Sequence, residues 1–185
     1  MRFFAVIFLI PSLIMAEETF TNTNQDTSIE RSFGEFLKWR FNRKQPERIQ
    51  IETSDDWKQL EQVPKYYAVW VGHSTYLLNN GGLTILTDPV FSKRASPFSI
   101  AGPKRLISPA ISLKELPSID IITVSHNHYD HLDIKSLKTL RKLNPDALFL
   151  VPQGDKRLLK KSGIENVKEF LWWEEIEIKN TKFTF

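Results

Sequence analysis

Residues 119 to 131 read Ile119-Asp120-Ile121-Ile122-Thr123-Val124-Ser125-His126-Asn127-His128-Tyr129-Asp130-His131. The opening run, Ile119 to Val124, is nearly all apolar and rich in β-branched residues, the texture of a central strand buried on both faces. Beyond Ser125 the chain carries three histidines and an aspartate within one turn. His126 and His128 are two apart, so on an extended segment they project to the same side. Asp130 and His131 fall where the backbone turns, which redirects their side chains. A loop leaving a buried strand has a rigid base and an exposed tip. Packing does not account for alternating imidazoles followed by a carboxylate and another imidazole; a clamp for one or two divalent ions does.

Working outward from this stretch, Leu132, Leu137, Leu140 and Leu143 recur at helical spacing, and Asn144-Pro145 stops that helix. Ala147 to Val151 is a second buried strand. Asp155 to Lys161 is a helix closed by Gly163, and Val167 to Leu171, Glu175 to Ile178 and Lys182 to Phe185 are further strands. On the other side, Tyr66 to Val71, Thr75 to Leu78 and Leu83 to Thr87 form an antiparallel meander. A Gly72 turn joins the first two, and Asn79-Asn80-Gly81-Gly82 joins the last two. Meander followed by strand, helix, strand, helix, strand predicts an α/β layered fold. Residues 92 to 118, punctuated by Pro97, Pro103, Pro109 and Pro117, are predicted to be irregular and to shape a site.

The N-terminal third is of another kind. Arg2 precedes an apolar stretch from Phe3 to Ala16, and polar sequence begins at Glu17. Residues 1 to 16 therefore read as a secretory signal, which predicts export to a periplasmic or membrane-associated location; without it the chain is expected in the cytoplasm. Residues 17 to 28 read as a linker. Ile29, Phe33, Phe36, Leu37 and Arg40 predict an amphipathic helix over 29–44, and Ser54-Asp55-Asp56 opens a second that ends before Pro64. The expected organisation is a signal over 1–16, a linker and N-terminal helices over 17–64, and a catalytic-type domain over 65–185.

Bulk composition narrows the chemistry. At 41% hydrophobic and 12% aromatic residues the chain can build a packed core, which excludes a disordered chain. A net charge of +3 with scattered basic residues gives no reason to expect nucleic acid. The Lys156-Arg157 and Lys160-Lys161 pairs read as a solvated face, and Trp172-Trp173 as core packing. There is no cysteine, so any zinc must be held by nitrogen and oxygen, as in hydrolytic sites. His126 and His128 are the candidate ligands of one ion, and Asp130 and His131 of a second. Two such ions generate hydroxide at neutral pH and clamp the oxygens of a phosphate. Ligating imidazoles need oriented partners, for which Asp88 and Ser125 are candidates. His73, the remaining histidine, stands alone after Gly72. It fits a hydrogen-bonded turn histidine as well as a site residue, and it joins Asp88 as an outer-shell candidate.

The hexapeptide matches the HxHxDH signature of the metallo-β-lactamase fold. Flanking blocks narrow the resemblance: Trp70-Val71-Gly72-His73-Ser74-Thr75, Leu86-Thr87-Asp88-Pro89-Val90-Phe91, Arg94-Ala95-Ser96-Pro97, Gly102-Pro103-Lys104-Arg105, Leu116-Pro117-Ser118-Ile119-Asp120 and Leu171-Trp172-Trp173-Glu174. From about Tyr66 onward the chain resembles the N-acylphosphatidylethanolamine-hydrolysing phospholipases D and their bacterial relatives. The resemblance implies a four-layer αββα fold holding two Zn2+ ions. One would sit on His126 and His128 and the other on Asp130 and His131, with Asp130 beside the attacking hydroxide. It also implies a phospholipid phosphodiester substrate, met at a membrane surface. Relatives with similar blocks hydrolyse sugar-phosphate lactones, which is an alternative.

The family pattern further contains a third histidine, a bridging aspartate and a final histidine, all after the hexapeptide. No histidine follows His131, and Asp133, Asp146 and Asp155 lie in stretches that do not match. The expectation is therefore the N-terminal half of the fold, with half of the site and weak or no activity alone. One face of its sheet should be bare and apolar, open to self-association into a homo-oligomer. A non-catalytic metal-binding or interaction module is the alternative from a different class.

Overall fold

The computed structural model of the chain describes residues 32–42, 51–60, 65–98, 100 and 102–185. The stretch read as an export signal, the linker after it and the end of the second predicted helix lie outside the described residues. Among the described residues no helix is long and apolar enough to cross a membrane. The chain divides into two compact units, Met1–Pro46 and Glu47–Phe185. In the first, α1 spans Phe33–Asn42. Its start is a capping box: the Ser32 hydroxyl accepts from the Glu35 amide at 3.2 Å, and the Glu35 carboxylate accepts from the Ser32 amide at 2.9 Å.

The second unit opens with α2 (Trp57–Leu60), where the Ser54 hydroxyl accepts from the Asp56 amide at 3.0 Å. Next comes a six-stranded sheet, made of β1 (Tyr66–Gly72), β2 (Thr75–Asn80), β3 (Leu83–Thr87), β4 (Ile121–Thr123), β5 (Leu148–Pro152) and β6 (Val167–Phe170). The strands lie side by side in chain order. β1, β2 and β3 pair antiparallel, as the meander requires, while β3 through β6 pair parallel. Parallel neighbours need a crossover. α3 (Ile134–Leu143) supplies it between β4 and β5, and α4 (Asp155–Lys161) between β5 and β6.

Alternation along the strands sorts apolar side chains into two cores. Leu86, Ile122, Phe149 and Val151 point to the helical side and pack with Leu132, Leu137 and Leu140 at α3 and Leu159 of α4. Ile85, Ile121 and Leu150, their chain neighbours, point to the other face. That second face is where the structure departs from expectation. The sheet is not bare, because β7 (Glu175–Ile178) and β8 (Thr181–Thr184) form an antiparallel hairpin that folds back over it. Ile176, Ile178, Phe183 and Phe185 cover Leu83, Ile85, Ile121, Leu150 and Phe170, and Phe185 stacks on Phe170 with centroids 4.4 Å apart. None of the five covered residues is more than 5% exposed. The alternation that made β7 and β8 legible as strands supplies an apolar face, and the cheapest place to bury it is the sheet it left. On this face the sheet and the hairpin share one core.

A second correction concerns Trp172-Trp173. They sit on the turn between β6 and β7 and are 51% and 76% exposed, not core residues. A left-handed backbone at Trp173 (φ 68°) turns the chain outward there.

The predicted irregular segment is present and serves as a buttress. The Ala110 amide donates to the Val71 carbonyl, and Ile111 is fully buried in the helical-side core. The Arg105 guanidinium donates to the carbonyls of Val90 and Ser92, tying this segment to the one after β3.

Candidate metal centre

The site lies at the C-terminal ends of β3 and β4, where parallel strands leave a crevice for ligands. β4 ends at Thr123, Val124 stays in the core, and Ser125 begins the loop. Asp88, immediately after β3, is buried and orders this loop from the neighbouring strand. Its Oδ1 accepts from the Ser125 amide at 2.7 Å, and its Oδ2 accepts from the Ser125 hydroxyl at 2.7 Å. His131 Nδ1 lies 2.8 Å from the same Oδ2.

These contacts fix tautomers. A carboxylate only accepts, so His131 carries its proton on Nδ1, leaving the lone pair on Nε2. That Nε2 faces Asp130, 3.8 Å from Oδ2. The Ser125 hydroxyl spends its proton on Asp88 and so accepts from His126 Nδ1, 3.0 Å away. The lone pair of His126 is then on Nε2, which lies 3.1 Å from His128 Nδ1. The rings of His126 and His131 are 4.0 Å apart, so the two groups of donors are adjacent.

His73 enters from the β1–β2 turn. Its Nε2 lies 3.2 Å from Asp130 Oδ2, and its ring centroid is 5.3 Å from that of His131. Both His73 (φ 52°) and Asp88 (φ 37°) occupy the left-handed region. A non-glycine residue there costs about 1–3 kcal/mol, although His and Asp are among the better tolerated. Each is held by a side-chain hydrogen bond to its carbonyl. The Trp70 indole donates to the His73 carbonyl at 2.8 Å, and the Thr75 hydroxyl donates to the Asp88 carbonyl at 2.7 Å. Two strained non-glycine backbones converging on one crevice mark where the fold gives up local stability to aim side chains.

The electrostatics suit a cation. Burial pushes the Asp130 carboxyl up, but its backbone hydrogen bond and the His131 and His73 rings outweigh this and hold it below the usual carboxylate range. Burial, then the neighbouring His131 and His128, lower the pKa of His126 against the opposing pull of Asp88 and Asp130. An ionised Asp130 beside a His126 ring biased towards its neutral form suits the binding of a divalent ion.

Spacing provides the fit test. Four nitrogen or oxygen donors placed tetrahedrally at zinc distances are about 3.3 Å from one another. The His126–His128 pair at 3.1 Å and the His73–Asp130 pair at 3.2 Å match that edge. His73, Asp130 and His131 each offer a ligand atom, all within 4.8 Å of one another. The residues present therefore fit metal ions: His126 with His128, and Asp130 with His131 and His73.

Sequence reading paired Asp88 and Ser125 with the imidazoles, but it gave His73 no neighbour. Nothing local shows that the β1–β2 turn meets a loop more than fifty residues later. It also left Asp133 without a role. That carboxylate caps α3, accepting from the Lys135 and Ser136 amides, and it also accepts from the Ser136 hydroxyl at 2.6 Å and the Ser92 amide at 2.9 Å. Asp155, buried at the start of α4, accepts from the Asn127 amide side chain at 3.2 Å and so moors the middle of the hexapeptide. Aspartate two residues beyond the motif and just before a leucine-spaced run is the one sequence signal that marked Asp133, as a helix cap.

Comparison with known proteins agrees with this architecture. The family described as the beta-lactamase superfamily domain matches residues 84–185. An N-acyl-phosphatidylethanolamine-hydrolyzing phospholipase D of Caenorhabditis elegans is 43% identical over 122 residues, covering 63% of this chain and 34% of that one. The mitochondrial protein of the same description from Saccharomyces cerevisiae is 38% identical over 133 residues, covering 72% of this chain and 28% of its own. The chain thus spans about a third of the length of the curated relatives it matches. Among solved structures, a diiron β-hydroxylase of Streptomyces venezuelae superposes with a TM-score of 0.51 at 24% identity, over 65% of this chain and 23% of that one. Strand order, crossovers, the strand-end histidine loop and the matched family agree: this chain belongs to the beta-lactamase superfamily and has its metallo-β-lactamase-type α/β fold.

Proposed function

We propose that the chain is the metal-binding part of a zinc-dependent phosphodiesterase acting on N-acylphosphatidylethanolamine-like phospholipids. The observation that carries this reading is the convergence of four histidines and Asp130 at the ends of β3 and β4, at ligand spacing and with Asp88 and Ser125 orienting the rings. Identity to two phospholipases D of that description supports the substrate class.

Bound divalent ions would supply Lewis acidity towards a phosphoryl oxygen and lower the pKa of a water molecule. The chain's own contribution is arrangement. Asp88 and Ser125 set the tautomers of His131 and His126, Asp155 holds Asn127 within the loop, and Asp133 ties the start of α3 to the segment after β3. Asp130, ionised and half-exposed, is the group that accepts a proton from an attacking water. In the reaction, water oxygen bonds to phosphorus and the bond from phosphorus to the ethanolamine oxygen breaks. The ethanolamine oxygen takes up the proton that Asp130 received, and phosphatidic acid and N-acylethanolamine leave. The exposed Leu171-Trp172-Trp173 turn favours a substrate met at a bilayer, since such aromatics settle at membrane–water interfaces. Export directed by residues 1 to 16 belongs to the same proposal, and the mass of the mature N-terminus tests it.

The decisive experiment combines metal analysis with turnover. The purified chain is loaded with Zn2+, and vesicles containing N-acylphosphatidylethanolamine are assayed for phosphatidic acid. Release that EDTA abolishes and Asp130→Asn reduces at least about 100-fold supports the reading. Zinc binding without release of phosphatidic acid would leave a binding module instead.

A further inference from the structure

We propose that His73 is itself a metal ligand, and that His73 Nε2, Asp130 and His131 Nε2 form a three-donor site for one divalent ion of the zinc type. The proposal rests on the metal-dependent reading above and adds to it a residue from outside the histidine hexapeptide.

The donor atoms are arranged for it. Asp130 Oδ2 lies 3.2 Å from His73 Nε2, whose proton a bound ion would displace, and 3.8 Å from His131 Nε2, and the three residues can bring one ligand atom each within 4.8 Å of one another. Two imidazole nitrogens and a carboxylate oxygen are a donor set of catalytic zinc sites, which keep a fourth position open. The open side is present: His73 and Asp130 are each about half exposed, while His131 is the inner wall. His131 is oriented through its other nitrogen by Asp88, the outer-shell arrangement that metal-bound histidines use.

The backbone supports the same conclusion. His73 reaches Asp130 only because the β1–β2 turn holds it at φ 52°, after a register shift between Trp70 and Gly72. The turn is braced on several sides: Trp70 binds the His73 carbonyl, Ala110 binds the Val71 carbonyl, and Arg105 and Pro109 lie against Gly72. A half-exposed histidine–carboxylate contact contributes little by itself. The left-handed residue is what a two-residue hairpin turn between Gly72 and Thr75 requires, and this turn is what presents His73 to Asp130. His126 and His128 form the neighbouring pair, the His126 ring 4.0 Å from that of His131, and their replacement isolates the site proposed here.

The test uses the full chain stripped of metal. Zn2+ is titrated by calorimetry, and Co2+ by its visible absorption bands. In a His126→Ala/His128→Ala background one equivalent should remain, carried by the site proposed here. Adding His73→Gly, which tolerates the left-handed backbone, should weaken that equivalent by more than the ~10–100-fold that loss of an outer-shell partner costs. It should also shift the Co2+ bands, and free imidazole should restore both. His73→Asn, which also accepts this backbone, should behave as His73→Gly does. Unchanged affinity and an unchanged Co2+ spectrum in both variants overturn the role of His73 while leaving the metal-dependent reading intact. Absence of any metal binding in the unmodified chain overturns both.

Discussion

Replacing Asp88 by asparagine changes one oxygen to an NH2 group and removes one charge, in a buried position that already has a left-handed backbone. Asparagine tolerates that backbone, so the perturbation is confined to hydrogen bonding. The amide oxygen can still accept from the Ser125 amide, which now bonds Oδ1 at 2.7 Å. The NH2 group then occupies the place of Oδ2, facing the Ser125 hydroxyl at 2.7 Å and His131 Nδ1 at 2.8 Å. It can only donate, so His131 must accept on Nδ1 and carry its proton on Nε2. That is the atom turned towards Asp130, and a protonated nitrogen cannot bind a metal. Zinc affinity at the Asp130–His131 pair should fall about 10- to 100-fold, or ~1.4–2.7 kcal/mol. Metal-free stability should fall less, by about 1–2 kcal/mol, because charge-assisted bonds become neutral ones. Asp88→Ala should reverse the emphasis. It leaves three partners without their acceptor and places a β-carbon in a left-handed backbone, so about 4 kcal/mol of stability should be lost. Calorimetric zinc titration and urea unfolding of both variants measure the two quantities. Zinc affinity within about twofold of the parent chain in Asp88→Asn would refute the tautomer argument.

Asp133→Ala removes the cap of α3 and the acceptor for Ser92 and the Ser136 hydroxyl, and should cost on the order of 3 kcal/mol in urea unfolding; a loss below about 1 kcal/mol would show that the cap is dispensable. Gly102→Ala would place a β-carbon 2.5 Å from the Ser96 β-carbon at a φ of 94°. The melting temperature should drop, by an amount equivalent to about 1–2 kcal/mol, and a Ser96→Gly partner should recover only the steric part. Burial raises the Asp155 pKa above its ordinary 3.8, with Glu169 adding to this and the Asn127 hydrogen bond opposing it. The folded chain therefore keeps this proton at a pH where the unfolded chain has lost it. Its contribution to stability falls as pH rises from 3.8 through the raised folded value, and is flat above. Asp155→Asn should remove that decline, and parallel stability–pH curves for the two chains would exclude it.

How far the sequence could be read depends on the range of the interactions concerned. Val and Ile runs, turn glycines and leucine spacing act within a few residues, and they locate the strands β1 to β8 and the helices α3 and α4 close to where they fold. β4 is shorter than the apolar run that announces it. Ile119 and Val124 are as buried as the strand proper but lie outside its ladder, because apolar texture reports burial and pairing is decided by the neighbours. The hairpin of β7 and β8 was legible as two strands, yet its destination was not. Alternation says that one face is apolar without saying what it will cover. Trp172-Trp173 fails for the converse reason: residue type predicts burial on average, and a single left-handed residue turns the pair out.

The same division runs through the site. Order along the chain by itself determined the hexapeptide, its place at the end of a buried strand and its suitability for nitrogen and oxygen ligation of a metal. Asp88 and Ser125 could be named as partners from their chemistry. Only the tertiary structure decided that His73 joins Asp130 and His131, that Asp155 holds Asn127 and Asp133 ties α3 to the segment after β3, and which nitrogen of His126 and of His131 is free. Those contacts span sequence separations of up to 58 residues (His73 to His131). They exist because the β1–β2 turn and the β4–α3 loop emerge at the same end of one sheet, which is a property of strand order and direction and not of any local run of residues.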